Sequence, residues 1–300
     1  MPKRSLFCRS LVPVVIILAT LIYGIFNRTL DPAADSQTLF PPERVFGIDD
    51  IEGIDTVKNA VRSAPLPIRT GSAPIHAAIL PHHTIVAGQL AQSWSDIAAN
   101  TEPSVIVIIG PAHSNQGQGT VQTTHGVWRS VFGDVVTSDT VVDQLVEAGA
   151  TDEPPSFLNE HAIGTHIPYI AHFFAGTPIV PIIAKSTAND RDAQNIVQNL
   201  NKILPQDALI IASIDFAHYL DASTTAAHDQ ITEQHIDTRN YPYIDFLSSA
   251  YLDAPFALEV FLRWSDHSNF TLTKVWHSQS HTILSDPLLP GTSYFIYFAW

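Results

Sequence analysis

The stretch ALIIASIDFAHY, residues 208–219, decides how the chain is read. Its first half is an aliphatic run almost free of polar residues, the pattern of a strand buried on both faces of a largely parallel sheet. Its second half sets Asp215 and His218 three residues apart directly after that run. In open α/β sheets ligands bind just beyond the carboxyl ends of the strands, so an aspartate and a histidine delivered there point to a site.

Working outward, three more runs read as core strands: IHAAIL (75–80), SVIVIIG (104–110) and TPIVPIIA (177–184). Between them lie amphipathic stretches with helical spacing: VAGQLAQSWSDIAAN (86–100), SDTVVDQLVEAG (138–149), THIPYIAHFFAG (165–176), DRDAQNIVQNLNKIL (190–204) and TTAAHDQITEQHI (224–236). Strand and helix alternate, which predicts an α/β sandwich of helices around a largely parallel or mixed central sheet. The terminal stretches NFTLTKVWHSQS (269–280) and GTSYFIYFAW (291–300) read as two strands that extend or edge it.

Three of these four strand ends carry an imidazole. PHH after the first run places His82 and His83, PAH after the second places His113, and DFAH after the fourth places Asp215 and His218. The carboxyl ends of parallel strands share one edge, so these groups are expected in one pocket. A fourth group, Glu160 and His161, opens the stretch EHAIGTHIPYI (160–170). Its spacing fits a helix start with a carboxylate at the positive end of the dipole as well as it fits a loop closing the pocket. His172, His228 and His235 on predicted helices, and His125, His267 and His277 in loops or an edge strand, are read as solvated or packed histidines.

Composition narrows the function. The chain has 300 residues, 45% hydrophobic and 15% charged, enough for a substantial core. Fifteen Lys and Arg stand against 29 Asp and Glu, a formal charge of −14, which argues against a nucleic-acid partner. Neither a Gly-x-Ser-x-Gly elbow nor a Gly-rich phosphate loop is present, against a serine hydrolase and against nucleotide use. Cys8 is the only cysteine, which excludes a disulfide within the chain and a thiolate zinc site. A metal would be held by His, Asp or Glu, a set suited to iron, manganese, copper or histidine-rich zinc.

At the N-terminus, Lys3, Arg4 and Arg9 precede an uncharged run from Leu11 to Phe26. This predicts a signal anchor over 1–28 that fixes the chain in a membrane with the globular part outside the cytoplasm. Residues 29–73, rich in proline and acidic groups, read as a linker with one short helix near 51–61, and 74–300 as the domain.

The motifs ILPHHTIVAG (79–88), VIVIIGPAHS (105–114), EHAIGTHIPYI (160–170), PIVPIIA (178–184) and IIASIDFAHY (210–219) followed by AAHD (226–229), in that order, resemble the Memo family, also called AmmeMemoRadiSam system protein B. The resemblance runs from about Ala77 to Asp229, and the family is similar in fold to the class III extradiol dioxygenases. It implies that His82 and His113 bind a metal, iron or copper, that His218 matches the catalytic histidine of the dioxygenases, and that Asp215 and Glu160 are further pocket residues. A C-terminal cysteine that can serve the family as third ligand has no counterpart, and His281 is the nearest candidate. A second departure is His83, where the family keeps a small residue. The family's operon name further implies a radical-SAM partner.

Three functions follow from these readings. One is a membrane-anchored Memo-type protein with a redox metal that oxidises a small molecule. Another is an extradiol-dioxygenase-like or hydrolytic metalloenzyme. The third is a binding or scaffold protein without turnover. Whether the chain is an enzyme, in particular a non-haem metal-dependent oxidoreductase, is left open by the sequence.

Overall fold

The aliphatic runs form the middle of a nine-stranded sheet. The computed structural model describes residues 41–64, 73–288 and 290–300. In chain order the strands are β1 (Val45–Gly47), β2 (Ala77–Leu80), β3 (Ile106–Pro111), β4 (Val121–Thr123), β5 (Val127–Ser130), β6 (Gly133–Val136), β7 (Thr151–Asp152), β8 (Ile179–Ala184), β9 (Leu209–Ser213), β10 (His218–Leu220), β11 (Leu272–Gln279) and β12 (Gly291–Ala299). The helices are α1 (Ile54–Arg62), α2 (Ala87–Asn100), α3 (Asp139–Glu147), α4 (His161–Gly164), α5 (Ile167–Phe173), α6 (Asp190–Ile203), α7 (Ala222–Thr238), α8 (Tyr241–Ile244), α9 (Pro255–His267) and α10 (Ser280–Leu284).

The large sheet runs β10-β12-β2-β9-β3-β8-β4-β7, with β11 paired to β12. Its centre, β2, β9, β3 and β8, is parallel, whereas β12 is antiparallel to β2 on one side and β4 antiparallel to β8 on the other. The sheet is therefore mixed. Its strands alternate sides with period two: Ala77, Ile79, Val107, Ile109, Ile210 and Ala212 belong to one core, and Ala78, Leu80, Ile106, Ile108, Leu209 and Ile211 to the other. Helices α3, α6 and α9 cover the first face, and α1, α2 and α5 the second. With both faces dry, continuous aliphatic runs are what the central strands require. The two C-terminal strands form as expected, β12 antiparallel to both β2 and β11.

Two elements depart from the sequence reading. Residues 42–64 fell within the expected linker, yet Phe46, Ile48, Ile54, Val57 and Val61 are buried and belong to the second core. Strand β1 pairs in parallel with β5 of a small second sheet, β1-β5-β6. The short helix expected near 51–61 forms as α1, and its apolar positions, at i, i+3 and i+7, make a stripe buried in the second core. The compact unit accordingly begins at Pro42. Helix α9 was missed altogether, because Phe256, Ala257, Leu258, Val260, Phe261, Leu262 and Trp264 are all buried and leave little polar face to set a period.

The membrane-anchored, extracytoplasmic placement is corrected. Among the described residues no helix is long and apolar enough to cross a membrane, and the run 11–26 on which that placement rested lies outside the described residues.

Helix α9 also carries a buried acid. The Glu259 side chain is 1% exposed, facing Arg263 and Asp190. Burial and the neighbouring Asp190 carboxylate push it up to about 8, against the pull of Arg263. Folding therefore takes up a proton, and stability falls as pH rises from the ordinary carboxylate range to about 8, then levels off. Glu259→Gln keeps the shape and removes the titration. At pH 8 its gain in unfolding free energy should be on the order of 2 kcal/mol, vanishing near pH 5. Denaturant melts at the two pH values measure this, and a gain independent of pH would refute it.

Candidate metal centre at the sheet edge

The parallel centre of the sheet sets the site. Leu80 of β2 is in register with Ser213 of β9, and Ile109 of β3 with Ala212. The chain leaves all three strands at one edge, so His82, His113 and Asp215 emerge side by side. The His82 and His113 ring centres are 5.2 Å apart. His161, at the start of α4, stacks on His113 at 3.8 Å and stands 5.2 Å from His82.

The residue that completes this arrangement is one the sequence did not suggest. Asp253 lies just before α9 and is drawn in by an antiparallel bridge between Phe216 and Leu252. Its backbone N–H donates to Asp215 O at 3.0 Å, and Asp215 N–H donates to Asp253 Oδ1 at 3.2 Å. That leaves Asp253 Oδ2 3.0 Å from His82 Nε2 and 3.8 Å from His113 Nε2. Asp215 Oδ2 lies 3.6 Å from His82 Nε2. Neither of these buried carboxylate oxygens has an aligned hydrogen-bond donor. Ligands about 2.1 Å from one divalent ion stand roughly 3.0–3.4 Å from each other, so these separations suit a shared cation. Two sets of donors lie within coordinating reach of a common point: His82, His113 and His161, and His82, Asp215 and Asp253.

The back of each imidazole is fixed. Ser213 Oγ donates to Ala162 O at 2.7 Å, so toward His82 Nδ1 at 3.0 Å and His166 Nε2 at 3.1 Å it can only accept. His82 thus carries its proton on Nδ1 and turns Nε2 to the carboxylates. His113 Nδ1 donates to Glu160 Oε1 at 2.7 Å, and Glu160 also accepts from His113 N–H and Ala162 N–H. A ring nitrogen held from behind by an acceptor while the other faces the ion is the usual support of a histidine ligand.

The electrostatics agree. Burial opposes charge on His113, but the facing Asp253 carboxylate and the hydrogen bond to Glu160 outweigh it and raise the ring to about 10. His82 is raised too, burial being overcome by Asp215 and Asp253. Asp253 is held well below the usual carboxylate range because the facing imidazoles outweigh its burial. Protons on the two imidazoles thus balance the acids, and a divalent cation would take over that charge. His161, by contrast, is pushed down to about 4 by burial and by its charged neighbours, and His166 to about 3 by burial.

Other candidates fall around this centre. His83 Nδ1 is 2.9 Å from Tyr294 Oη and 3.3 Å from Asp215 Oδ2. The His218 ring is 6.1 Å from His83, with a buried Nδ1 that has no partner, and burial lowers its pKa. Asp215 does not orient His218. Its Oδ1 accepts from His82 N–H and its Oδ2 faces His82 and His83, because Asp215 stays beside β2 while His218 has joined β10. Glu160 is the buried N-cap of α4, with its oxygens taken up by His113 and Ala162. His281 is not brought into either donor set. Its Nε2–H donates to Leu220 O at 3.0 Å, and the ring packs against Gly291.

Two cavities flank the cluster. One of about 360 Å³ reaches His113 and Asp253 beside Asn115, Lys185 and Phe256. The other, about 570 Å³, reaches His82, His83 and His161 beside Tyr219 and Tyr294.

The family model described as Memo-like protein matches residues 55–254. The chain belongs to the Memo-like family. Similar to it are the MEMO1 family protein of Thermotoga maritima, 30% identical over 171 residues (55% of this chain and 61% of the relative), and that of Thermotoga neapolitana, 29% over 168 residues (54% and 60%). This Memo-like chain thus aligns with about 60% of the length of these relatives. A crystal structure of an uncharacterised Escherichia coli K12 protein superposes with a TM-score of 0.50 at 15% identity, over 74% of this chain and 99% of that one, a likeness of fold alone. The family match spans β2, β3, β9 and the strand ends that carry His82, His113, Asp215 and Asp253.

Proposed function

We propose that the protein binds a redox-active divalent metal, iron or copper, through His82, His113 and Asp253, with Asp215 or His161 in reach as a further ligand, and that it oxidises a small organic molecule there. The observation that carries this reading is Asp253 Oδ2 standing 3.0 Å from His82 Nε2 and 3.8 Å from His113 Nε2, with both imidazoles held from behind by Ser213 and Glu160. Iron or copper on few protein ligands keeps open positions and offers one-electron and oxygen chemistry. The remaining steps belong to the chain. His218 is neutral at physiological pH, so it can accept a proton from a bound molecule at Nδ1 or Nε2. His83, held by Tyr294 and Asp215, orients that molecule, while Ser213 and Glu160 keep the imidazoles in position. The same arrangement supports kinship in fold with the class III extradiol dioxygenases, and a radical-SAM enzyme as partner extends the family's operon context.

The test is anaerobic titration of the chain with Fe(II), Cu(I) and Zn(II), followed by elemental analysis. Iron or copper should remain near one per chain after desalting and change its visible or paramagnetic spectrum on oxidation. A folded chain that keeps only zinc would favour the hydrolytic reading, and one that keeps no metal would favour a binding protein.

A further inference from the structure

The larger cavity has features that the metal reading does not use. Its floor is His82 and His83, with Asp215 Oδ2 buried between the two rings and without an aligned donor. Its rim carries Asp50 and Glu52, and no lysine or arginine lines it. In the segment DDIEGID (49–55), Asp49 and Asp55 pair with Lys58 at 2.7 and 3.3 Å. Among the described residues no cation pairs with Asp50 or Glu52. The rim is also fixed in place. Gly53, at φ +73°, comes so close to Thr84 that a Cβ would stand 2.2 Å from its Oγ1, which ties the acidic turn to the residues following His83.

Tyr219 also lines the cavity. Its backbone is left-handed at φ +61°, a conformation that bulky residues avoid, and its side chain is 79% exposed. A ring that stays in water gains little from packing, so the core does not explain why a large aromatic occupies this position instead of glycine or asparagine. It follows His218 directly in the chain.

We propose that this cavity takes a small organic cation with a flat apolar face, an arylalkylamine being the simplest member, with the ring against Tyr219 and the ammonium toward Asp50 and Glu52. The proposal rests on the imidazole cluster being the reacting centre, since it names what is presented to it. Anionic molecules are disfavoured by the same two carboxylates.

The test uses three probes of one shape and different charge, 2-phenylethylamine, 2-phenylethanol and phenylacetate, titrated calorimetrically into the full chain with and without bound metal. The amine should bind roughly fivefold more tightly than the alcohol and about tenfold more tightly than the acid, a preference that shrinks with added salt. Asp50→Asn with Glu52→Gln should bring the amine close to the alcohol and leave alcohol binding unchanged. Tyr219→Gly should weaken all three probes by roughly tenfold while the melting temperature holds or rises, because glycine adopts the left-handed backbone without strain. A merely structural tyrosine would do the reverse, losing stability and sparing binding. Equal or tighter binding of the acid, a preference that survives the double variant, or no binding of any probe at millimolar concentration overturns the proposal. Metal content measured on the same samples separates the two readings. Metal uptake without an amine preference removes this inference alone, and an amine preference without metal uptake removes the proposed metal chemistry alone.

Discussion

The His82→Ala, His113→Ala double variant is expected to lose metal uptake altogether. Each imidazole offers Nε2 to the shared point while Nδ1 is held by Ser213 or Glu160, so neither can be replaced by a neighbour turning in. Of the clustered donors, His161, Asp215 and Asp253 remain, with His161 the one imidazole among them. Loss of two of three ligands should lower affinity by at least about a thousandfold, more than the 10- to 100-fold typical of losing a supporting residue. The variant also leaves Asp215 and Asp253 buried without the imidazoles that balance them. Breaking a buried charge pair from one side costs about 3–5 kcal/mol, so its melting temperature should fall at pH 7. The deficit should narrow toward pH 4, where Asp253, without the imidazoles that hold it low, can take up a proton while the wild-type pair stays charged. Elemental analysis after desalting reads the first effect and thermal melts across pH the second. A folded double variant that still holds one metal per chain would place the metal elsewhere.

Asp253→Asn is expected to cost about a hundredfold or more in metal affinity with the fold intact. The amide keeps the volume and can still accept from Asp215 N–H, but it removes the anionic oxygen that sits 3.0 Å from His82 and 3.8 Å from His113. The metal-free protein should respond as well. His113 is raised to about 10 with Asp253 among the main causes, against a burial that works the other way. In Asp253→Asn its titration should move down, visible in the ring nitrogen shifts by NMR. Because His113 must lose its Nε2 proton to bind, wild-type metal affinity should rise with pH through the neutral range, and the variant should show a flatter dependence. An unchanged affinity would leave Asp253 as no more than a counter-charge.

Asp253 also marks the limit of what could be read in advance. Asp215 follows an aliphatic run and so announces itself, whereas Asp253 is one of two acids, with Glu259, in YLDAPFALEVFL (251–262). Its signal was local, a lone carboxylate before a proline-started apolar helix, but α9 is buried all round and gave no helical period. Ser213 was similarly visible as the one polar residue of its strand, yet its role in holding both His82 and His166 depends on Ala162 approaching from another element. His281 failed as a third ligand for the complementary reason. It follows β11 in sequence, and the hairpin carries it to β10 and Gly291 instead of to the edge where β2, β9 and β3 end.

What the sequence determined by itself is whatever a single strand or helix specifies. Aliphatic runs buried on both faces gave the parallel centre, and the imidazoles after them shared an edge because parallel strands point the same way. The tertiary structure decided every relation between elements remote in the chain: the folding of residues 42–64 onto the domain, the bridge from Phe216 to Leu252 that delivers Asp253, and the turn of Asp215 toward His82 and not His218. Those relations follow from how buried faces pack and from which donors meet the buried carboxylates. No local period in the chain encodes either of them.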